Sequence, residues 1–145
     1  MSPKGRPYLL VQAGEREVGL VLDQVLEVAE LGEVHPVPTA EPALRGVTLA
    51  RGRLVPLLHL GAFLSGRSYP VQPSATMVLI RAGGRHVGLE VDDAAAVLRS
   101  EALPVPAGER MAWTVAVVQR EEGPLPILDL SALGDRLAGA ETSDG

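Results

Sequence analysis

Few residues of this 145-residue chain are able to do chemistry: three histidines (His35, His59 and His86), a scatter of carboxylates, and no cysteine. Without thiols there is no disulfide, no thiolate nucleophile and no sulfur ligand for zinc, a composition that fits a reducing compartment. The histidines stand apart, with no H-x-x-x-H spacing to set two imidazoles on one helix face, so no metal centre is expected. A serine, His59 and Asp129 supply the residue types of a hydrolytic triad, but no G-x-S-x-G elbow is present to expose the nucleophile. Asp92 and Asp93 read as turn or cap residues rather than as a paired acid and base. Neither catalysis nor a cofactor is predicted.

What His59 and Asp129 share is position. "VPLLHL" from Val55 returns as "LPILDL" from Leu125, a displacement of 70 residues, and the histidine and aspartate fall at the same place in each. Likewise "YLLVQAGEREVGLVLDQVLEV" (Tyr8 to Val28) returns without a gap as "MVLIRAGGRHVGLEVDDAAAV" (Met77 to Val97), displaced by 77 minus 8, or 69. "PVP" from Pro36 returns from Pro104, displaced by 68. Three matches in one order, at nearly one spacing, mark a duplicated unit. A shared structural task for His59 and Asp129 follows, such as capping the turn after a strand. Two packed units also meet at a seam, and a seam is where a partner is expected.

The elements that carry these residues have the period of strands. Val18, Leu20 and Leu22 alternate with Glu17, Gly19 and Val21, and β-branched residues are frequent. "AGER" (Ala13 to Arg16) and "AGGR" (Ala82 to Arg85) hold the glycine a tight hairpin needs; neither opens a helix, so they are turns and not phosphate cradles. Prolines at 36, 38, 42, 56, 104, 106, 124 and 126 mark strand ends or edges. Several short strands per repeat, curled into a small barrel, are predicted, with Ser65 to Ser74 as the connection. Helix is expected only at Leu60 to Leu64 and from Ser131 to Ala138, where Ser131 is the candidate cap and Gly134 costs about 1 kcal/mol relative to alanine. Residues 1–7 read as a tail, 8–138 as one domain of two barrel subdomains (about 8–66 and 75–138, with strands free to exchange), and 139–145 as a disordered tail.

Size and charge limit the partners. With 46% hydrophobic residues the chain has enough for one core, which the two small halves are expected to share. A net charge of −5 and only four aromatic residues (Tyr8, Phe63, Tyr69, Trp113) offer neither a phosphate-binding surface nor a stacking platform, so nucleic acid is not expected. No run approaches the roughly 20 apolar residues of a membrane span, and the first residues lack a secretory signal. A cytoplasmic protein without direct membrane insertion is expected.

"RGVTLARGRLVPLLHL" (Arg45 to Leu60) resembles the G-V-x-N-L-R-G-x-x-x-P-V-x-D-L pattern of the CheW family of chemotaxis coupling proteins. "QVLEV" (Gln24 to Val28) is similar to the family's K-V-Q-E-I, "VGLEVDDAAAVL" (Val87 to Leu98) to its V-G-I-x-V-D-x-V-x-x-V, and "LPILDLSAL" (Leu125 to Leu133) to its terminal strand and helix start. The resemblance covers about residues 8 to 133. It implies an all-β fold of two intertwined five-stranded SH3-like barrels with short helices. It also implies a noncatalytic adaptor between the cytoplasmic tips of methyl-accepting chemoreceptors and the regulatory domain of a CheA-type histidine kinase, recruited to receptor arrays. Carried over by motif, Val25, Gly46, Arg51 and Gly52 fall where the family binds its partners, near the groove between the barrels and the adjoining face of the first. Glu27 matches the glutamate that pairs with the arginine at Arg51.

The chain departs from the pattern at several places. Leu49 and Ala50 stand where the family has asparagine and leucine, His59 stands for an aspartate, and the stretch from Pro106 to Trp113 is short. Leu49 and Ala50 bear on the kinase contact in particular. Two alternatives therefore stand beside the coupling role: a CheW-like protein that binds a receptor or another scaffold but has lost the kinase, and a generic SH3-like interaction module outside chemotaxis.

Overall fold

The computed structural model describes residues 5–70, 75–105 and 113–142. The first repeat forms β1 (Arg6–Ala13), β2 (Arg16–Val21), β3 (Val25–Glu30), β4 (Val34–His35), β5 (Leu44–Ala50), β6 (Arg53–His59) and α1 (Leu60–Ser65). The second forms β7 (Thr76–Ala82), β8 (Arg85–Val91), β9 (Asp93–Ser100), β10 (Leu103–Pro104), β11 (Thr114–Val118), β12 (Leu125–Leu128) and α2 (Leu130–Thr142) in the same order. The hairpin turns are the expected ones. Ala13 pairs with Arg16 around Gly14 at φ 64, and Ala82 pairs with Arg85 around Gly83 and Gly84 at φ 58 and 83, angles that glycine adopts without steric cost.

The repeats do not fold separately. One sheet runs β3-β7-β8-β6-β5-β4 and the other β10-β11-β12-β2-β1-β9, so each repeat lends its opening hairpin to the other's remaining strands. We call the sheet holding β3 to β6 the first barrel and the sheet holding β9 to β12 the second. In each, one of the six strands is only two residues long, leaving the five substantial strands the resemblance implied. Closure is visible in the packing. Leu26, Leu31 and Val34, from the two margins of the first sheet, meet Ala50, Val55, Leu57, Met77 and Leu79 in one interior cluster. The second barrel is filled by Tyr8, Val118, Leu125 and Ile127 with Leu10, Val21 and Leu98.

The exchanged hairpins explain the apolar runs "YLLV" and "MVLI". Tyr8 and Leu10 point into the second barrel, while Leu9, Val11 and Ala13 point the other way, into the largest core of the molecule. Met77 and Leu79 line the first barrel, while Val78, Ile80 and Ala82 enter that same large core. A strand buried on both faces has no polar alternation. The seam expected to receive a partner is thus packed with side chains, joined by Leu133 and Leu137 of α2.

Gly19 and Gly88, equivalent in the repeats, close the barrels. Gly19 pairs in parallel with Ile127, and a β-carbon there would sit 2.6 Å from Ile127 Cδ1; Gly88 pairs with Leu57, with Met77 Sδ at 3.0 Å from the same imagined atom. Proline ends both of these ladders. Pro56 and Pro126 lie inside β6 and β12, so of the expected strand ends or edges they mark an edge, and each immediately precedes the first residue of the parallel pairing. A residue without an N–H has nothing to donate to the next rung.

At the end of the chain α2 runs to Thr142, four residues past the expected Ala138. Ser131 is inside the helix and does not cap it; Asp129 does. Gly134 has a packing reason, because a β-carbon there would lie 2.6 Å from the Ala82 carbonyl oxygen. The cost to helix propensity is offset by close contact with β7.

Candidate functional site

The β5–β6 hairpin turns in two residues. Ala50 pairs with Arg53, and Arg51 and Gly52 between them have φ of 52 and 76, the paired positive angles of a type I′ turn. Holding a side-chain-bearing residue in that region costs about 1 kcal/mol or more. Arg51 is anchored by what it reaches: its Nη2 donates to the Leu26 carbonyl oxygen at 2.7 Å, and its Nε lies 3.6 Å from Glu27 Oε2. Strand β3 and the turn are joined through this guanidinium, so the Glu27–Arg51 pair expected from the sequence is present. Both partners are partly exposed, and such a pair stabilises by about 0 to 1 kcal/mol. Its main effect is to fix a charged point on the surface.

The other expected residues hold the scaffold around that point. Gly46, at φ 143, sits at a bulge in β5, where a β-carbon would overlap the His35 carbonyl oxygen. Gly52 is in open space and is required only by its backbone angle. Val25 opens β3 opposite Ile80 and packs, half-buried, against the core between the barrels. Of the two departures beside the Arg51 turn, Ala50 is buried inside the first barrel, whereas Leu49 is 64% exposed. Only Leu49 is placed to meet a partner.

A buried polar cluster went unread in the sequence. Arg45 Nε lies 3.0 Å from Glu90 Oε1, while its Nη1 and Nη2 donate to the carbonyl oxygens of Tyr69 and Pro70 at 2.6 and 3.1 Å. Tyr69 stacks on His59 at 4.7 Å between ring centroids. His59 Nδ1 accepts from Ala62 N at 3.0 Å, and Asp129 Oδ1 accepts from Ala132 N at 3.1 Å. The two equivalent residues do share a capping role, as expected. An accepting Nδ1 leaves the imidazole proton on Nε2, which faces Glu90 Oε2 at 3.8 Å. Burial pushes the His59 pKa below its usual value, with Arg45 acting in the same direction against Glu90 and Asp92. The only sequence signal for this cluster was Glu90, an acid at the position of Val21 in the first repeat.

Chemically this arrangement binds and orients. His59 and Asp129 cap different helices, and the Ser65 hydroxyl of α1 donates to Gly61 O. Among the described residues no group of three or more His, Cys, Asp or Glu is placed to hold a metal ion, and no helix is long and apolar enough to cross a membrane. Two barrels locked through a common core, with Arg45, Glu90, His59 and Asp129 committed to ion pairs and caps, make a rigid scaffold that presents surface for contact.

The CheW-like domain profile matches residues 7–138, and the chain belongs to that family. It is similar to the chemotaxis protein CheW of Klebsiella aerogenes, 25% identical over 133 residues that cover 92% of this chain and 76% of the relative. Protein FrzA of Myxococcus xanthus is 30% identical over 115 residues, covering 74% of this chain and 71% of the relative. Among solved structures, the scaffolding protein TtCheW from Thermoanaerobacter tengcongensis superposes with a TM-score of 0.76 over 89% of this chain and 92% of its own, at 18% identity, which shows a common fold. As a member of this family the chain is a noncatalytic scaffold of the chemotaxis type.

Proposed function

We propose that this chain couples the cytoplasmic tips of methyl-accepting chemoreceptors to the regulatory domain of a CheA-type histidine kinase. In this role it works in the cytoplasm and is recruited to receptor arrays by its partners. The observation that carries the reading is the joining of β3 to the β5–β6 turn by Arg51, which displays Glu27, Arg51 and Gly52 together at the surface. Those three, together with Val25 and Gly46, are the positions the family resemblance assigns to partner contact. Electrostatic match at such a point governs orientation and association rate more than raw affinity.

Calorimetric titration of the chain against a purified receptor cytoplasmic fragment and, separately, a kinase regulatory domain tests the role. Binding to both is expected, and Arg51→Ala should weaken at least one by about tenfold, or 1.4 kcal/mol. Tight kinase binding with one-to-one stoichiometry removes the receptor-only alternative. Failure to bind either partner sinks the coupling reading.

A further inference from the structure

Beside the Arg51 turn, β6 and β8 part company. Their parallel pairing is confined to Leu57–His59 against Gly88–Glu90, because Pro56 has no N–H to continue it. Above the last rung a groove of about 280 Å³ opens between Arg53, Leu54 and Val55 on one side and Gly84, Arg85 and His86 on the other. On its outer lip Leu54 stands directly across the ladder from Leu49, and both are 64% exposed. Leu49 and Leu54 together set two exposed aliphatic side chains side by side next to the slot. Leu49 is also one of the residues by which this chain departs from its family's pattern.

The duplication supplies the comparison that identifies what is missing. In the second barrel the same place lies between β12 and β2, and there Arg120 spans it: its Nη1 lies 2.8 Å from Glu17 Oε1 and its Nε donates to the Gly123 carbonyl oxygen at 3.2 Å. Arg120 is 14% exposed in that position. In the first barrel the counterpart of Glu17 is His86, and the counterpart of Gly123 is Arg53. The carboxylate is gone, the arginine is shifted by three positions because Ala50 answers Arg120 and Arg53 answers Gly123, and neither Arg53 nor His86 makes an ion pair among the described residues. The net charge of −5 makes this basic spot a local reversal.

The geometry points to a docking site for an acidic, leucine-bearing segment of a partner protein. Its aliphatic side chains cover Leu49 and Leu54, and its carboxylate enters the groove between Arg53 and His86, where the second barrel uses its own Arg120–Glu17 pair. The site borders the face proposed above but does not depend on the coupling role, because its argument rests on the groove and its counterpart alone.

Fluorescence polarisation at low salt with two labelled peptides tests it: one with a Leu-Leu pair flanked by glutamates, the other with lysines in place of the glutamates. The full-length chain should bind the glutamate peptide at least tenfold more tightly. Leu54→Ser and Arg53→Glu, both surface changes with unaltered urea midpoints expected, should each reduce that affinity at least fivefold. Equal affinity for the two peptides, or affinity indifferent to both substitutions, overturns the site. So does a homodimer seen by light scattering that Leu54→Ser dissociates, since the occupant is then a second copy. None of these results touches the titrations with receptor and kinase, so the two readings fail separately.

Discussion

The two barrels have one plan and opposite electrostatics. At the position where the second barrel buries part of Val21, the first buries Glu90 and must neutralise it with Arg45. Where the second closes a groove with Arg120 on Glu17, the first leaves Arg53 and His86 facing an open slot. Glu27, which meets Arg51, has Ala96 as its counterpart. Duplication has preserved what closes a barrel, the glycine, the proline and the capped helix, and has released the charges to diverge. The residues that close each barrel and start its helix are shared, and the charged side chains that brace its loops are not.

The largest test of this division is Glu90→Ala. Removing one partner of a buried pair leaves Arg45 with only the carbonyl oxygens of Tyr69 and Pro70, and we expect a loss of about 3 kcal/mol in urea unfolding. Val21→Ala, the same position in the other barrel, should cost about 1 kcal/mol. Equal losses would show that charge burial is not what separates the barrels.

Next in size are the closing glycines. Gly19→Val and Gly88→Val should each destabilise by about 1 to 3 kcal/mol through overpacking. The Gly19 change should cost more, since Ile127 and Leu125 crowd its imagined β-carbon while Gly88 faces the adaptable Met77. A tolerated Gly19→Val would mean that close approach is not what shuts the second barrel.

The smallest effect separates the two caps. The folded-state pKa of His59 lies below its unfolded value, so the neutral ring's contribution is complete above about pH 6.5 and is lost as pH falls through the window beneath it. Urea midpoints of the wild type should therefore decline from pH 7 toward pH 5. His59→Asn, which keeps an acceptor for the Ala62 N–H but does not titrate, should flatten that decline. Asp129→Ala should remove about 1 kcal/mol of capping and leave the slope in place. An unchanged slope in His59→Asn would assign the pH response elsewhere.

Much of this was readable in advance because it is local or repeated. The glycine hairpins and the shared capping position of His59 and Asp129 follow from motif and register, and the Glu27–Arg51 pair from the family resemblance. The intertwining of the barrels came from the family resemblance and not from the residues themselves, since a strand shows the same alternation and the same displacement whether it pairs within its own repeat or with the other. Nor could Arg45 and Glu90 be matched, because nothing local joins residues 45 positions apart. The sequence also misplaced the helix cap at Ser131, and of its two readings for Pro56, strand end or edge, the edge is the one that holds. Part of the Pro106 to Trp113 departure, residues 106–112, lies outside the described residues.

The hairpin exchange also fixes an order of events during synthesis. Gly19 finds its parallel partner in Ile127, 127 minus 19 or 108 residues later, so the second barrel cannot shut until Ile127 has left the ribosome. At about 5 to 20 residues per second, the first hairpin waits many seconds with apolar side chains on both faces uncovered. A translation pause or truncation anywhere before β12 would leave that hairpin as an adhesive strand pair, which makes the nascent chain, more than the finished protein, the form that needs a chaperone.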